Sequence, residues 1–181
     1  MAAESSYVKT NTMGTLTILD GGAVTLALLY DRGDVQIGTL KARLNAVKAI
    51  ERRGKWVSDA YAERVYPAFS FSCYVGNIVG GTAIAPGTPA EMLTGLGAYA
   101  ANTNVQGIGA NRPWAVNARL AWTGASFGDS ANETCTVNNL ADIAMSFAEA
   151  ADGNVLSITG SIRTSVVVVN GTNTVTFQQI A

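Results

Sequence analysis

The chain has 181 residues, of which 48% are apolar and only 14% charged, and its twelve Lys and Arg against thirteen Asp and Glu leave a net charge of -1. It contains no histidine, which removes Ser-His-Asp and Cys-His nucleophile systems, most zinc sites and the usual general base near neutral pH. No enzymatic activity, cofactor or metal is therefore expected.

A chain of this length buries about 70% of the surface its unfolded form exposes, so a single domain needs no disulfide or metal to hold it. Charged residues usually make up about 25% of a soluble domain. With so few here, little keeps copies apart, and burial of surface between subunits is the natural expectation. No charged leader followed by an apolar run opens the chain, and no stretch approaches the ~18 apolar residues of a membrane span. Folding in a cytoplasm is expected, with Cys73 and Cys135 as reduced thiols.

Residues 1–13 are polar and aperiodic and read as an N-terminal arm ahead of one β domain over 14–181. From Thr15 to Tyr30 two β-rich runs flank Asp20-Gly21-Gly22, residues that tolerate positive φ, which predicts a hairpin. Residues 40–53 admit two readings. Leu40, Leu44 and Val47 are spaced like one helix face, while Leu44 and Ala46 also alternate like a strand, and propensity favours the helix. Gly54 breaks either element, and Lys55 to Arg64 is polar enough for a projecting loop.

Tyr66 to Val75 is a strand, with Phe69, Phe71, Cys73 and Val75 on one face and Ser70, Ser72 and Tyr74 on the other. Cys73 is thereby a core residue. Glycines punctuate residues 78–111, most of which reads as loop. Within it Thr88 as N-cap, Pro89 in the first turn and Glu91 near the positive end predict a short helix from Pro89 to about Ala100. Gly95-Leu96-Gly97 and Gly107-Ile108-Gly109 have no strand before them and no Lys-Ser/Thr partner, so they are loop glycines rather than phosphate cradles.

Trp114 to Thr123 alternates as a half-buried strand, with Trp114, Val116, Ala118, Leu120 and Trp122 facing one way. Thr134 to Val137 is a short strand. Over Asp142 to Glu149, Ile143, Met145 and Phe147 alternate, yet Leu140, Ile143, Ala144 and Phe147 also fit a helix ending at Gly153. Asp152-Gly153-Asn154 turns the chain into a strand over Val155 to Ile162. A last hairpin runs Ser165 to Val169, Asn170-Gly171, Thr174 to Ile180. The pattern is mainly β: about eight to ten antiparallel strands in a sandwich or barrel, with one short flanking helix.

Charge is distributed unevenly. Eight of the twelve Lys and Arg lie between Arg32 and Arg64, and Lys41, Arg43, Lys48, Arg52, Arg53 and Lys55 face only one acid, Glu51. Such a cluster can neutralise phosphates or seat against protein, and the acidic balance of the rest of the chain favours the protein contact. Asp31 with Asp34, and Glu149 with Asp152, are the nearest carboxylate pairs in sequence. Each sits beside a turn, where Asp commonly binds backbone, so a glycosidase role is not favoured.

Taken in order, Gly33-Asp34-Val35, Ala49-Ile50 with Arg53-Gly54-Lys55, and Tyr66-Pro67 leading into Phe69-Ser70-Phe71 resemble the first half of the major tail tube proteins of long-tailed bacteriophages. Pro89 to Gly97, Glu133-Thr134 and Asp152-Gly153-Asn154 to Gly160 resemble the second half. The resemblance implies a β-sandwich or barrel with one flanking helix, related to type VI secretion tube subunits. It further implies hexameric rings stacked into a hollow tube, through which DNA passes without sequence-specific binding.

By the same resemblance the partners are copies of the chain and other tail proteins, such as tape measure, terminator and distal tail proteins, in a virion assembled in the host bacterial cytoplasm. Ring-bridging contacts are expected from residues 1–13 and from within 40–64. The candidates are Lys48, Arg52, Arg53, Lys55, Trp56, Asp59 and Glu63, with the basic residues meeting acids such as Asp31, Asp59 or Glu63 away from the bore. Residues 40–45 are inserted relative to the simplest family pattern. Alternatives are a tail terminator, a capsid decoration protein, or a carbohydrate-binding sandwich using Trp56, Trp114 or Trp122.

Overall fold

In this computed structural model the described residues are 14–19, 25–28, 35–43, 45–75, 88–94, 115–123, 131–149 and 153–178. Alternating Thr and Leu shape the first hairpin. β1 (Gly14–Leu19) and β2 (Thr25–Leu28) pair antiparallel, placing Leu16 opposite Leu28 and Ile18 opposite Leu26. All four of these side chains are buried. Thr15 and Thr25 are exposed on the other face, as the two-residue period of a strand requires.

The remaining strands of the main sheet are β3 (Gln36–Ile37), β6 (Ala68–Tyr74), β7 (Val116–Trp122), β8 (Glu133–Ala148), β9 (Val155–Ile162), β10 (Val166–Asn170) and β11 (Asn173–Phe177). Their order is β2-β1-β7-β8-β9-β6-β3, with β10 on β8 and β11 on β10, and every pairing is antiparallel. The alternations read from 66–75 and 114–123 are realised as strands with one buried face. Residues 142–149, open between helix and strand in the sequence, are strand.

β8 joins two half-sheets. Its first half lies between β7 and β10, while its second half, from Ala141 to Ala148, lies along β9. The change falls at a ladder irregularity between Ala141 and Ala144, where Asn139 and Asp142 both take positive φ. Asn and Asp tolerate that conformation better than other side-chain-bearing residues. Local bonds fix it: the Asn139 amide donates to Asn117 Oδ1 at 2.9 Å, and Arg163, ion-paired with Asp142, lies 4.4 Å from the Tyr66 ring centroid.

Leu16, Ile18, Leu26, Val116 and Leu120 from one half-sheet share a single core with Phe69, Phe71, Leu156 and Ile158 from the other. The architecture is thus sandwich-like, and among the described residues no closed barrel forms within one chain.

The flanking helix α1 (Pro89–Thr94) begins as its sequence dictates. Thr88 N–H donates to Glu91 Oε2 at 2.9 Å, and Glu91 N–H donates to Thr88 Oγ1 at 3.3 Å, a reciprocal capping box. Met92 and Leu93 enter the core. The predicted continuation of the helix past Thr94 falls outside the described residues, as do the arm over 1–13, Asp31, Asp34, Asp152, Trp114 and both short Gly-x-Gly segments.

The helix favoured over 40–53 does not form. Residues 45–52 are strand β4 (Asn45–Arg52), and Lys55 to Arg64, expected as a loop, is strand β5 (Lys55–Arg64). Among the described residues the two pair only with each other, as a separate two-stranded sheet. The deciding feature is the turn: Arg53 and Gly54 have φ of 53° and 72°, the paired positive values of a two-residue type I′ hairpin. Once that turn forms, cross-strand pairing satisfies the backbone, and the helix propensity of Ala, Lys and Glu is overridden.

Candidate subunit-contact surfaces

The β4–β5 hairpin stands off the sandwich. Every residue from 48 to 59 is exposed, including Ile50, Val57 and Trp56, the last at 65%. With a rise of about 3.3 Å per residue, its ten-residue strand spans roughly 30 Å. A lone two-stranded hairpin is marginally stable in water. Extending one this far without a covering layer is therefore a costly arrangement for an isolated chain.

All seven sequence-predicted contact residues, Lys48, Arg52, Arg53, Lys55, Trp56, Asp59 and Glu63, lie on this hairpin, and all are exposed. Register sorts most of them into two faces. Lys48 is opposite Ala60, Ile50 opposite Ser58 and Arg52 opposite Lys55, so Lys48, Ile50, Arg52 and Lys55 share one face. Ala49 is opposite Asp59 and Glu51 opposite Trp56, which puts Glu51, Trp56 and Asp59 on the other. Trp56 Nε1–H donates to Asp59 Oδ1 at 3.0 Å, consistent with that assignment. The hairpin is basic on one face and acidic and aromatic on the other.

A second surface escaped the sequence reading. Residues 144–148 of β8 pair with β9 along one edge, and among the described residues no strand pairs along the other. Met145 and Phe147 lie opposite Ile158 and Leu156 and so belong to the core-facing side, yet they are 36% and 44% exposed. The signal was the Ile143, Met145, Phe147 alternation, which the competing helix period obscured.

The two thiols are structural. Cys73 and Cys135 are free and buried, and burial pushes the Cys73 thiol from 9.0 up to about 11 and raises that of Cys135. Trp122 packs against the core rather than forming a platform, so of the two described tryptophans Trp56 is the exposed one. Among the described residues no group of His, Cys, Asp or Glu is placed to hold a metal, and no helix is long and apolar enough to cross a membrane.

No protein-family model matches the chain, and no curated protein matches it significantly. Among solved structures it resembles the sheath/tube terminator of an extracellular contractile injection system, PVC, in the extended state. The TM-score is 0.52 over 92% of this chain and 99% of that one, at 11% identity. The likeness is one of fold.

Proposed function

We propose that the chain is a structural, non-enzymatic subunit of a phage-tail-type tube, the major tail tube protein of a long-tailed bacteriophage. It assembles in the host cytoplasm into hexameric rings that stack into a hollow conduit for DNA ejection, ending in the virion tail.

The observation that carries this reading is the pair of strand edges, at β8 144–148 and at β3, that no strand covers among the described residues. The strands β8, β9, β6 and β3 alternate in direction, so β3 runs antiparallel to β8. Laying β3 of one copy against the 144–148 edge of the next continues the antiparallel ladder without a break, covers Met145 and Phe147, and satisfies backbone groups that an open edge leaves to water. Repeated head to tail, such a contact closes into a ring.

The exposed hairpin is then the contact between rings, its basic face meeting acids of the next ring. Other tail proteins, among them tape measure, terminator and distal tail proteins, would contact the ends and bore of the tube. Likeness of fold to a tube terminator supports a tail protein and also favours a second reading, in which this chain ends a tube instead of extending it.

Sedimentation velocity of the purified full chain over rising concentration separates the two. A tube subunit grows into ever larger species, and a terminator stops at one ring. A monomer at every concentration contradicts both readings.

A further inference from the structure

The strands β3, β6, β9 and the second half of β8 have one face toward the core, through Phe69, Phe71, Leu156 and Ile158, and their alternate positions, half-buried to exposed, on a face that no strand or helix covers among the described residues. Cross-strand rows on that face read Ser70, Thr159, Ala144 and Ser72, Ser157, Ser146. Among the described residues no Asp, Glu, Lys or Arg occupies an outward position of β3, β6, β9 or residues 144–148 of β8; the nearest charges, Asp142 at the bend and Arg163 after β9, are paired with each other. A solvated surface ordinarily carries about a quarter to a third charged residues, so a broad sheet face with none is unusual. Its hydroxyls bond among themselves, as Ser72 Oγ and Ser157 Oγ do at 3.1 Å.

Resting on the proposed ring, the radial direction of this face follows from bulk. β1, β2, β7 and α1 all contribute to the core on the opposite side of these strands. In a closed ring that mass occupies the larger radius, which turns the hydroxyl face toward the centre.

We infer that the bore is lined by this uncharged, hydroxyl-rich face, and that duplex DNA is conducted over it without electrostatic retention or repulsion. Phosphates meet neither cations that would hold them nor carboxylates that would push them away. Interaction with the wall is therefore nearly independent of salt, unlike binding to a basic groove.

The test uses tubes assembled from the full chain. Ser157→Cys, and separately Thr159→Cys, is treated with a small maleimide and with a maleimide carried on streptavidin. Wild-type tubes set the background from the buried native thiols. Reaction with the small reagent alone is expected; reaction with both places the face outside, and reaction with neither places it in a contact, and either result overturns the inference.

Wild-type tubes should retain no duplex DNA at 50 mM NaCl. Ser157→Lys or Thr159→Lys tubes should retain at least about tenfold more than wild type, and lose it by 200 mM. DNA retained in a salt-dependent way by wild-type tubes, or lysine variants that behave like wild type, would also overturn it. Failure of the wild-type chain to form any ring or tube refutes the proposed function itself, a distinct result.

Discussion

Arg52 lies directly across from Lys55 at the tip of the β4–β5 hairpin, like charge facing like charge, and both are exposed. Directly opposed like charges destabilise a strand pair, whereas opposite charges contribute roughly 0.2–1 kcal/mol. The pairing works against the isolated hairpin and suits one whose basic face is neutralised by a partner. Arg52→Glu should therefore leave the melting temperature of the dissociated chain unchanged or slightly raised while blocking tube growth. Reversing the second face as well, with Asp59→Lys in the same chain, should restore growth. Tubes of normal length from Arg52→Glu alone would show that this charge makes no ring contact.

Salt should separate the two kinds of contact. The Debye length falls from about 10 Å at 0.1 M salt to about 3 Å at 1 M, which weakens exposed charge pairs but leaves backbone ladders and apolar burial in place. Tubes moved into 1 M NaCl should release rings rather than monomers, as read by sedimentation and negative-stain images. Direct dissociation to monomers would indicate that the contact within the ring is also chiefly ionic.

The edge of β8 can be tested without disturbing the core. Phe147 is 44% exposed in the single chain, so Phe147→Asp should cost less than the ~3–5 kcal/mol of truncating a fully buried Phe and leave the chain folded. It should nevertheless hold the chain as a monomer on size exclusion, because a carboxylate would be desolvated in the joint. Ring formation at the wild-type concentration would place the joint elsewhere.

Gly160 supports the bend in β8. A Cβ there would meet Leu140 Cδ1 at 2.7 Å and the Ala141 carbonyl oxygen at 3.1 Å. Leu140 is fully buried and the carbonyl is backbone, so neither moves cheaply. Gly160→Ala should cost about 1–3 kcal/mol in urea unfolding, the usual range for overpacking. An unchanged midpoint would mean that the bend relaxes freely.

The buried thiol adds a pH dependence at the alkaline end. The Cys73 thiol is raised from 9.0 to about 11 in the fold, so between these values the unfolded chain has lost a proton that the native chain retains. Stability is complete below pH 9 and falls as pH rises toward 11, by roughly 2–3 kcal/mol at most. Cys73→Ala should flatten that loss in urea titrations at pH 8 and pH 11, whatever its cost at neutral pH. An identical alkaline loss would assign the effect to other groups.

Most of the fold was legible where a single period ruled. Phe69, Phe71 and Cys73 alternate with serines, and Val116, Ala118 and Leu120 alternate with Asn117, Arg119 and Ala121; both runs became strands with one buried face. Thr88 and Glu91 fixed the start of α1 from chemistry local to the chain. Residues 45–52 misled because their composition favours helix, and the decision lay in positive φ at Arg53, which a β-hairpin turn imposes and no intrinsic propensity of arginine announces. The seven candidate contact residues fall on one exposed hairpin because they are close in sequence, where charge density is visible. Their division between two faces depended on cross-strand register, and the edge at 144–148, unpaired among the described residues, depended on strand order, so neither could be read from sequence.

In the proposed assembly copies join sheet to sheet into rings, and rings stack through the hairpin. Electron cryomicroscopy of the assembled full chain tests it most directly. The expected map is a hollow tube of stacked hexameric rings, β3 of each copy laid against residues 144–148 of the next, Lys48, Arg52 and Lys55 between rings, and Ser72 and Ser157 toward the bore. Discrete trimers, or tubes with the β4–β5 hairpin free on the outside, would contradict it.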